Sequence, residues 1–84
     1  MTVPILRRSN LRQLSPATRL TKLERTAREI DAEIDRIRAL RRQYWNGRSR
    51  SYHLQSLYAY RQQLVVLARE VGCSDWEPEP ILAA

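Results

Sequence analysis

The sequence predicts an all-α protein: an antiparallel two-helix hairpin, coiled-coil-like, with an extended N-terminal arm and an extended C-terminal tail. Three observations carry that expectation. Leu20, Leu23, Ala27, Ile30, Ile34, Ile37 and Tyr44 keep a heptad spacing broken only at Arg41, the pattern of a long helix with a narrow buried seam. Asn46-Gly47 then interrupts the pattern, because Gly adopts at little cost the left-handed conformation that ends helices. A second apolar stretch from Leu54 to Val71 recurs at three and four residues and stops at Gly72.

In order, the chain divides into a basic extended arm (1–14), a helical hairpin (15–72) and an extended acidic, Pro-containing tail (73–84). The arm mixes Val3, Ile5, Leu6, Leu11 and Leu14 with arginines and has no steady period. Ser15-Pro16 is a helix start: Ser caps free amides, and Pro at the first helical position gives up no bond. Thr21 and Glu24 offer a second capping-box spacing one turn later. The first helix is expected over about 16–45 and the second over about 51–71, capped by Ser49 or Ser51.

On the second helix Leu57, Tyr60, Leu64, Leu67 and Val71 form one stripe, with Leu54, Tyr58, Val65 and Ala68 beside it. This arc spans nearly half the circumference, more than one facing helix covers. A short loop predicts that the helices fold back with Ile34 near Leu64 and Ala27 near Val71, so that Leu20 and Leu23 overhang. The arm, the tail with Trp76, Ile81 and Leu82, or another subunit could cover the surplus; the expectation is another subunit, with Leu20, Leu23, Leu57, Tyr60, Leu64, Leu67, Val71 and Trp76 as its interface.

Charge is clustered. Fourteen arginines and one lysine oppose nine acids for a net +6. Residues 1–28 hold seven bases and one acid, 29–35 four acids, 36–61 seven arginines and no acid, and 62–84 one arginine and four acids. Codon bias toward Arg would explain the ratio but not the clustering. Basic segments attract polyanions or acidic protein surfaces, and arginine favours bidentate contacts with carboxylate or phosphate.

Chemistry for catalysis is sparse. His53 is the single histidine and Cys73 the single cysteine, which excludes an internal disulfide and Cys-rich or His-based metal sites. Two glycines leave no Gly-rich phosphate loop. Glu29, Asp31, Glu33 and Asp35 alternate, so they spread around a helix instead of forming a cage. No enzymatic activity, cofactor, metal, membrane contact or small-molecule substrate is expected. No apolar run reaches the ~20 residues that cross a bilayer, and the first residues lack a secretory signal, so the location expected is intracellular (cytoplasmic) or virion-associated.

One constellation stands out at the turn. Arg41, Arg42, Trp45, Arg48, Arg50, Tyr52 and Arg61 place arginines among aromatic rings, the combination that neutralises phosphates and stacks bases. Tyr and Arg are equally the residues of protein interfaces, and Tyr44, Trp45 and Tyr58 could simply close the end of the helix pair. The segment Asn46-Gly47-Arg48-Ser49-Arg50-Ser51-Tyr52, leading into Leu54, Leu57, Arg61 and Leu64, resembles small head-completion (head–tail joining) structural proteins of tailed phages. In that group an amphipathic helix passes through a Gly-Arg-Ser-type turn into a second helix with a Leu-x-x-Leu-x-x-x-Arg rhythm. The likeness covers about residues 24–71. Some members insert a β-hairpin between the helices, for which the loop here predicts no room. The resemblance implies a non-enzymatic subunit packed in a ring between larger proteins near packaged DNA.

The function expected is therefore assembly: an adaptor packing into a homo- or hetero-oligomer. The alternative is a small basic hairpin that binds DNA or RNA through its tip, and a third reading is a small inhibitor of a larger protein.

Overall fold

The computed structural model describes residues 3, 5–41, 44–45 and 47–79. It is mostly helical, with two long helices in contact. In chain order the elements are α1 (Arg8–Arg12), α2 (Pro16–Arg38), β1 (Tyr44–Trp45), β2 (Arg48–Ser49) and α3 (Arg50–Glu70).

α2 starts where the sequence places it. The Ser15 hydroxyl accepts from the Thr18 amide at 3.3 Å, and Pro16 occupies the first turn. The later capping box is not used; Thr21 Oγ1 donates to the Ala17 carbonyl within the helix. Leu23, Ala27, Ile30, Ile34 and Ile37 are buried, as the heptad requires. The helix nevertheless stops at Arg38, short of the expected Tyr44 or Trp45. Two features end it. The seam has no apolar residue at Arg41, and Arg38 would face Arg41 and Arg42 at helical spacing, where like charges repel.

Past that point Tyr44 pairs with Ser49 and Trp45 with Arg48 in an antiparallel two-residue ladder, with Gly47 at φ +72° between the strands. Asn-Gly between aromatic-bearing strands is a strong short-range hairpin signal, so the dipeptide acts as a strand turn and not as a helix stop. The expectation of a bare turn, without room for a β-hairpin, is corrected accordingly. β2 delivers the chain directly into α3, whose first turn is capped by Ser49 Oγ accepting from the Tyr52 amide at 3.1 Å. α3 closes at Gly72, at φ +82°, where the Cys73 amide returns to the Ala68 carbonyl at 2.8 Å. That bond satisfies a carbonyl which the helix end would otherwise orphan.

Early termination of α2 leaves the two long helices nearly equal, 23 and 21 residues. Arg19 Nη1 donates to the Val71 carbonyl at 3.1 Å, Arg61 Nε to Asp31 Oδ1 at 2.8 Å, and Arg50 Nη1 to the Leu40 carbonyl at 2.9 Å. Arg19, near the start of α2, thus reaches the carbonyl of Val71 just past the end of α3. The overhang of Leu20 and Leu23 disappears: Leu23 is fully buried, while Leu20 stays at the surface.

The arm is not simply extended. α1 has five residues, far too few to be stable alone, and is held by its surroundings. Leu11 is buried, which contributes about 2 kcal/mol for a side chain of its size. Arg19 holds the end of α1: its Nε donates to the Leu11 carbonyl and its Nη2 to that of Arg12, both at 2.8 Å. Upstream, Val3 is buried, Leu6 packs on the core, and the Leu6 amide donates to the Tyr60 hydroxyl at 2.9 Å. Arg8 pairs with Glu70 at 2.8 Å. The tail turns back as well. Cys73 and Trp76 pack against the core, and Arg61 Nη2 donates to the Glu79 carbonyl. Ile81 and Leu82 lie outside the described residues.

The broad apolar arc of α3 is therefore covered by this chain's own ends. The core joins Val3 and Leu11 of the arm to α2 and α3, with Leu6, Leu14, Cys73 and Trp76 partly buried around it.

Tyr60 reports on the arm's attachment. Burial pushes its hydroxyl above the ordinary 10.0, the Leu6 amide pulls it back in part, and Glu29 adds to the rise. A folded value above the unfolded one gives a contribution that is complete below pH 10 and is lost as pH climbs through the folded value. From pH 10 up to that value the wild-type melting temperature is expected to fall more steeply than that of Tyr60→Phe. At neutral pH the variant is expected to be less stable by about 1 kcal/mol, since the Leu6 amide loses its acceptor. Paired thermal melts from pH 7 to 11 check both parts.

Candidate functional site

The residues expected at a partner interface are mostly interior. Leu23, Leu57, Tyr60, Leu64 and Val71 are buried in the single chain, and Leu67 and Trp76 are half-buried against its core. Leu20 alone of the set is exposed. The correction has one cause: arm and tail, irregular in sequence, carry apolar anchors that fill the space a second subunit was expected to fill. Among the described residues the large apolar side chains left exposed, Ile5, Leu20, Tyr52 and Val66, include two that sequence reading did not single out as surface, Ile5 and Val66. Both belong to the arm–α3 side, where they flank a groove with Leu67.

The residues of the turn behave differently. Arg41, Arg48 and Arg50 are exposed, as is Tyr52 with 48% of its surface accessible. Arg42 and the Trp45 side chain lie outside the described residues. Arg61 does not belong to this group. Its guanidinium spans Asp31 and the Glu79 carbonyl with 13% exposure, so it is a strut between helices and tail. Arg38, missed in the sequence as one charge of a solvated face, is exposed at the last position of α2 and joins the tip. Arg36 is tied to Glu33, with Nε 3.2 Å from Oε2 and a second contact from Nη2 to Oε1; the hydrogen bond raises its pKa further above the ordinary guanidinium value.

The tip is built on short-range contacts. Arg50 spans to the carbonyl of Leu40, so the end of α2's connection and the start of α3 are cross-braced. The ladder sets Arg48 immediately before the first turn of α3. Its guanidinium carbon stands 4.9 Å from the centroid of Tyr52, a cation–π distance. The His53 ring meets Tyr52 edge-on, centroids 5.7 Å apart at 80°. Tyr52 is thus fixed from one residue away in sequence and from the strand before it, while half of its surface stays accessible.

Charge is uneven along the chain. Residues 36–60 carry six arginines and no acid; the remainder of the chain carries nine bases and nine acids. In sequence residues 1–28 hold as many bases as residues 36–61, seven, but also one acid. In three dimensions Arg8 of the arm pairs with Glu70, Arg25 lies one turn from Glu29 on α2, and Asp31 takes Arg61 of α3. Outside 36–60 the bases and acids of the sequence balance, so the net +6 equals the charge of that segment; within it Arg36 is paired with Glu33, and Arg38, Arg41, Arg48 and Arg50 are exposed.

Among the described residues there is no cluster of three or more metal-ligating side chains, and no helix is long and apolar enough to cross a membrane. Comparisons with family models, curated proteins and solved structures match nothing to this chain.

Proposed function

We propose that this protein is a non-enzymatic assembly subunit that docks end-on, through its basic tip, onto a polyanionic surface of a larger assembly. Its two long helices form an antiparallel, coiled-coil-like hairpin: partners fall from Val71 to Arg61 to Arg50 as residues rise from Arg19 to Asp31 to Leu40. The observation that carries the reading is the run of charge, six arginines and no acid in the segment from 36 to 60, of which Arg38, Arg41, Arg48 and Arg50 are exposed, against nine bases and nine acids in the remainder. A uniform coat of charge would serve solubility alone. Charge confined to one end gives the molecule an orientation on approach to its partner. The resemblance to head-completion proteins agrees with such a role.

Location, not amount, of charge is the test. Changing Arg41, Arg48 and Arg50 to Ala removes three charges from the tip; changing Arg7, Arg12 and Lys22 to Ala removes three from exposed positions of the body. The tip variant is expected to elute from immobilised heparin at clearly lower salt than the body variant. Equal elution of the two would remove the basis for end-on docking.

A further inference from the structure

We infer that the tip's partner is a nucleic-acid single strand, held by phosphate contacts from Arg41, Arg48 and Arg50 and by one unpaired base stacked on Tyr52. The inference rests on the docking reading above and narrows its partner. Three occupants fit a surface of arginines: an acidic protein face, a duplex backbone and a single strand. The arginines alone do not separate them, since guanidinium groups satisfy carboxylate and phosphate alike.

Tyr52 separates them. It is one of few large apolar side chains exposed on the described surface, and it is the one among the arginines. Its ring is oriented before any partner arrives, by Arg48 over the ring at 4.9 Å and by His53 against its edge. An acidic protein face gains from the arginines and has no special use for a pre-set aromatic ring. A duplex keeps the faces of its bases stacked inside. An unpaired base offers a face, and stacking on an aromatic ring flanked by arginine is how single strands are held without sequence preference. The absence of any acid between residues 36 and 60 keeps the path of the strand clear of like-charge repulsion.

Binding of fluorescent dT20 and rU20 by anisotropy, beside a 20-base-pair duplex and with poly-glutamate as competitor, decides the matter. Wild-type protein is expected to bind at least one of the single strands more tightly than the duplex. The log of its affinity is expected to fall with log salt at a slope of about −2 for three phosphate contacts. Tyr52→Ala is expected to weaken single-strand binding by roughly 5- to 150-fold, leaving duplex binding as it was, while Tyr52→Phe binds like wild type. Circular dichroism confirms that each variant keeps its helices. A Tyr52→Ala protein that binds single strands as tightly as wild type would overturn the inference. So would poly-glutamate that competes as well as unlabelled dT20; end-on docking would then stand with an acidic protein as partner. Wild-type protein that ignores all four polyanions at low salt would sink the inference and the docking reading together.

Discussion

Leu64→Asp is expected to leave no folded monomer. Leu64 has no exposed surface and lies where α2, α3 and the arm meet, next to Tyr60 and Leu67 on the face closed by Leu6. A carboxylate there loses the leucine's packing, worth about 2–5 kcal/mol for truncation alone. It also stands in an apolar site without a partner, which adds several kcal/mol. A chain of 84 residues has about 4–13 kcal/mol of total stability by the usual per-residue range, with small domains toward the low end. The penalty is of the same size as the whole. Val66→Asp, two residues along the same helix and 54% exposed, makes the same chemical change at the surface and is expected to cost about 0.5 kcal/mol. Thermal melts by circular dichroism compare the two. A helical, cooperatively melting Leu64→Asp protein would show that this position is not the core.

Arg19→Met is expected to release the arm while the long helices stay paired. One guanidinium donates to the carbonyls of Leu11, Arg12 and Val71, joining α1, α2 and α3. Methionine keeps the apolar stem and loses all three bonds. Hydrogen bonds from a charged donor contribute about 1.5–3 kcal/mol each when buried, and partial exposure here brings the total to about 2–4 kcal/mol. That exceeds what a five-residue helix with one buried leucine can supply. Amide exchange of residues 6–14 is expected to rise to the level of an unstructured segment, and trypsin to cut after Arg7, Arg8 or Arg12. Release of the arm uncovers Tyr60, Leu64 and Leu67, so light scattering is expected to show association in the variant and a monomer in the wild type. Arg19→Lys is expected to behave much like Arg19→Met, because a single ammonium cannot reach three carbonyls in the geometry of a planar fork. Unchanged exchange in residues 6–14 would mean that Leu11 and Tyr60 hold the arm without Arg19.

These two variants also mark where sequence reasoning succeeds and where it stops. The seam of α2 was legible because a residue's face on a helix is fixed by spacing, so Leu23, Ala27, Ile30, Ile34 and Ile37 could be assigned inward without any knowledge of what they meet. Both caps were legible for a similar reason: Ser15 and Ser49 act on amides two or three residues away. The end of α2 was harder. Asn46-Gly47 carries two local meanings, helix stop and strand turn, and the choice depended on whether Arg41 and Arg42 could be held in a helix with no seam to bury them. The tip's exposed arginines and Tyr52 were legible from composition, but Arg61 was not distinguishable from them. Nothing in its neighbours reveals that Asp31, thirty residues away, takes it.

By itself the amino-acid order determined the helical class, the buried stripe of each long helix and their caps. All of these depend on interactions within a few residues. Only the tertiary structure decided that arm and tail pack on the core, that Arg19 reaches the Val71 carbonyl, and that Arg8 and Arg61 pair with Glu70 and Asp31. Those outcomes are set by contacts between segments far apart in the chain, Leu6 with Tyr60, Arg8 with Glu70, Arg19 with Val71 and Asp31 with Arg61, which local periodicity does not encode.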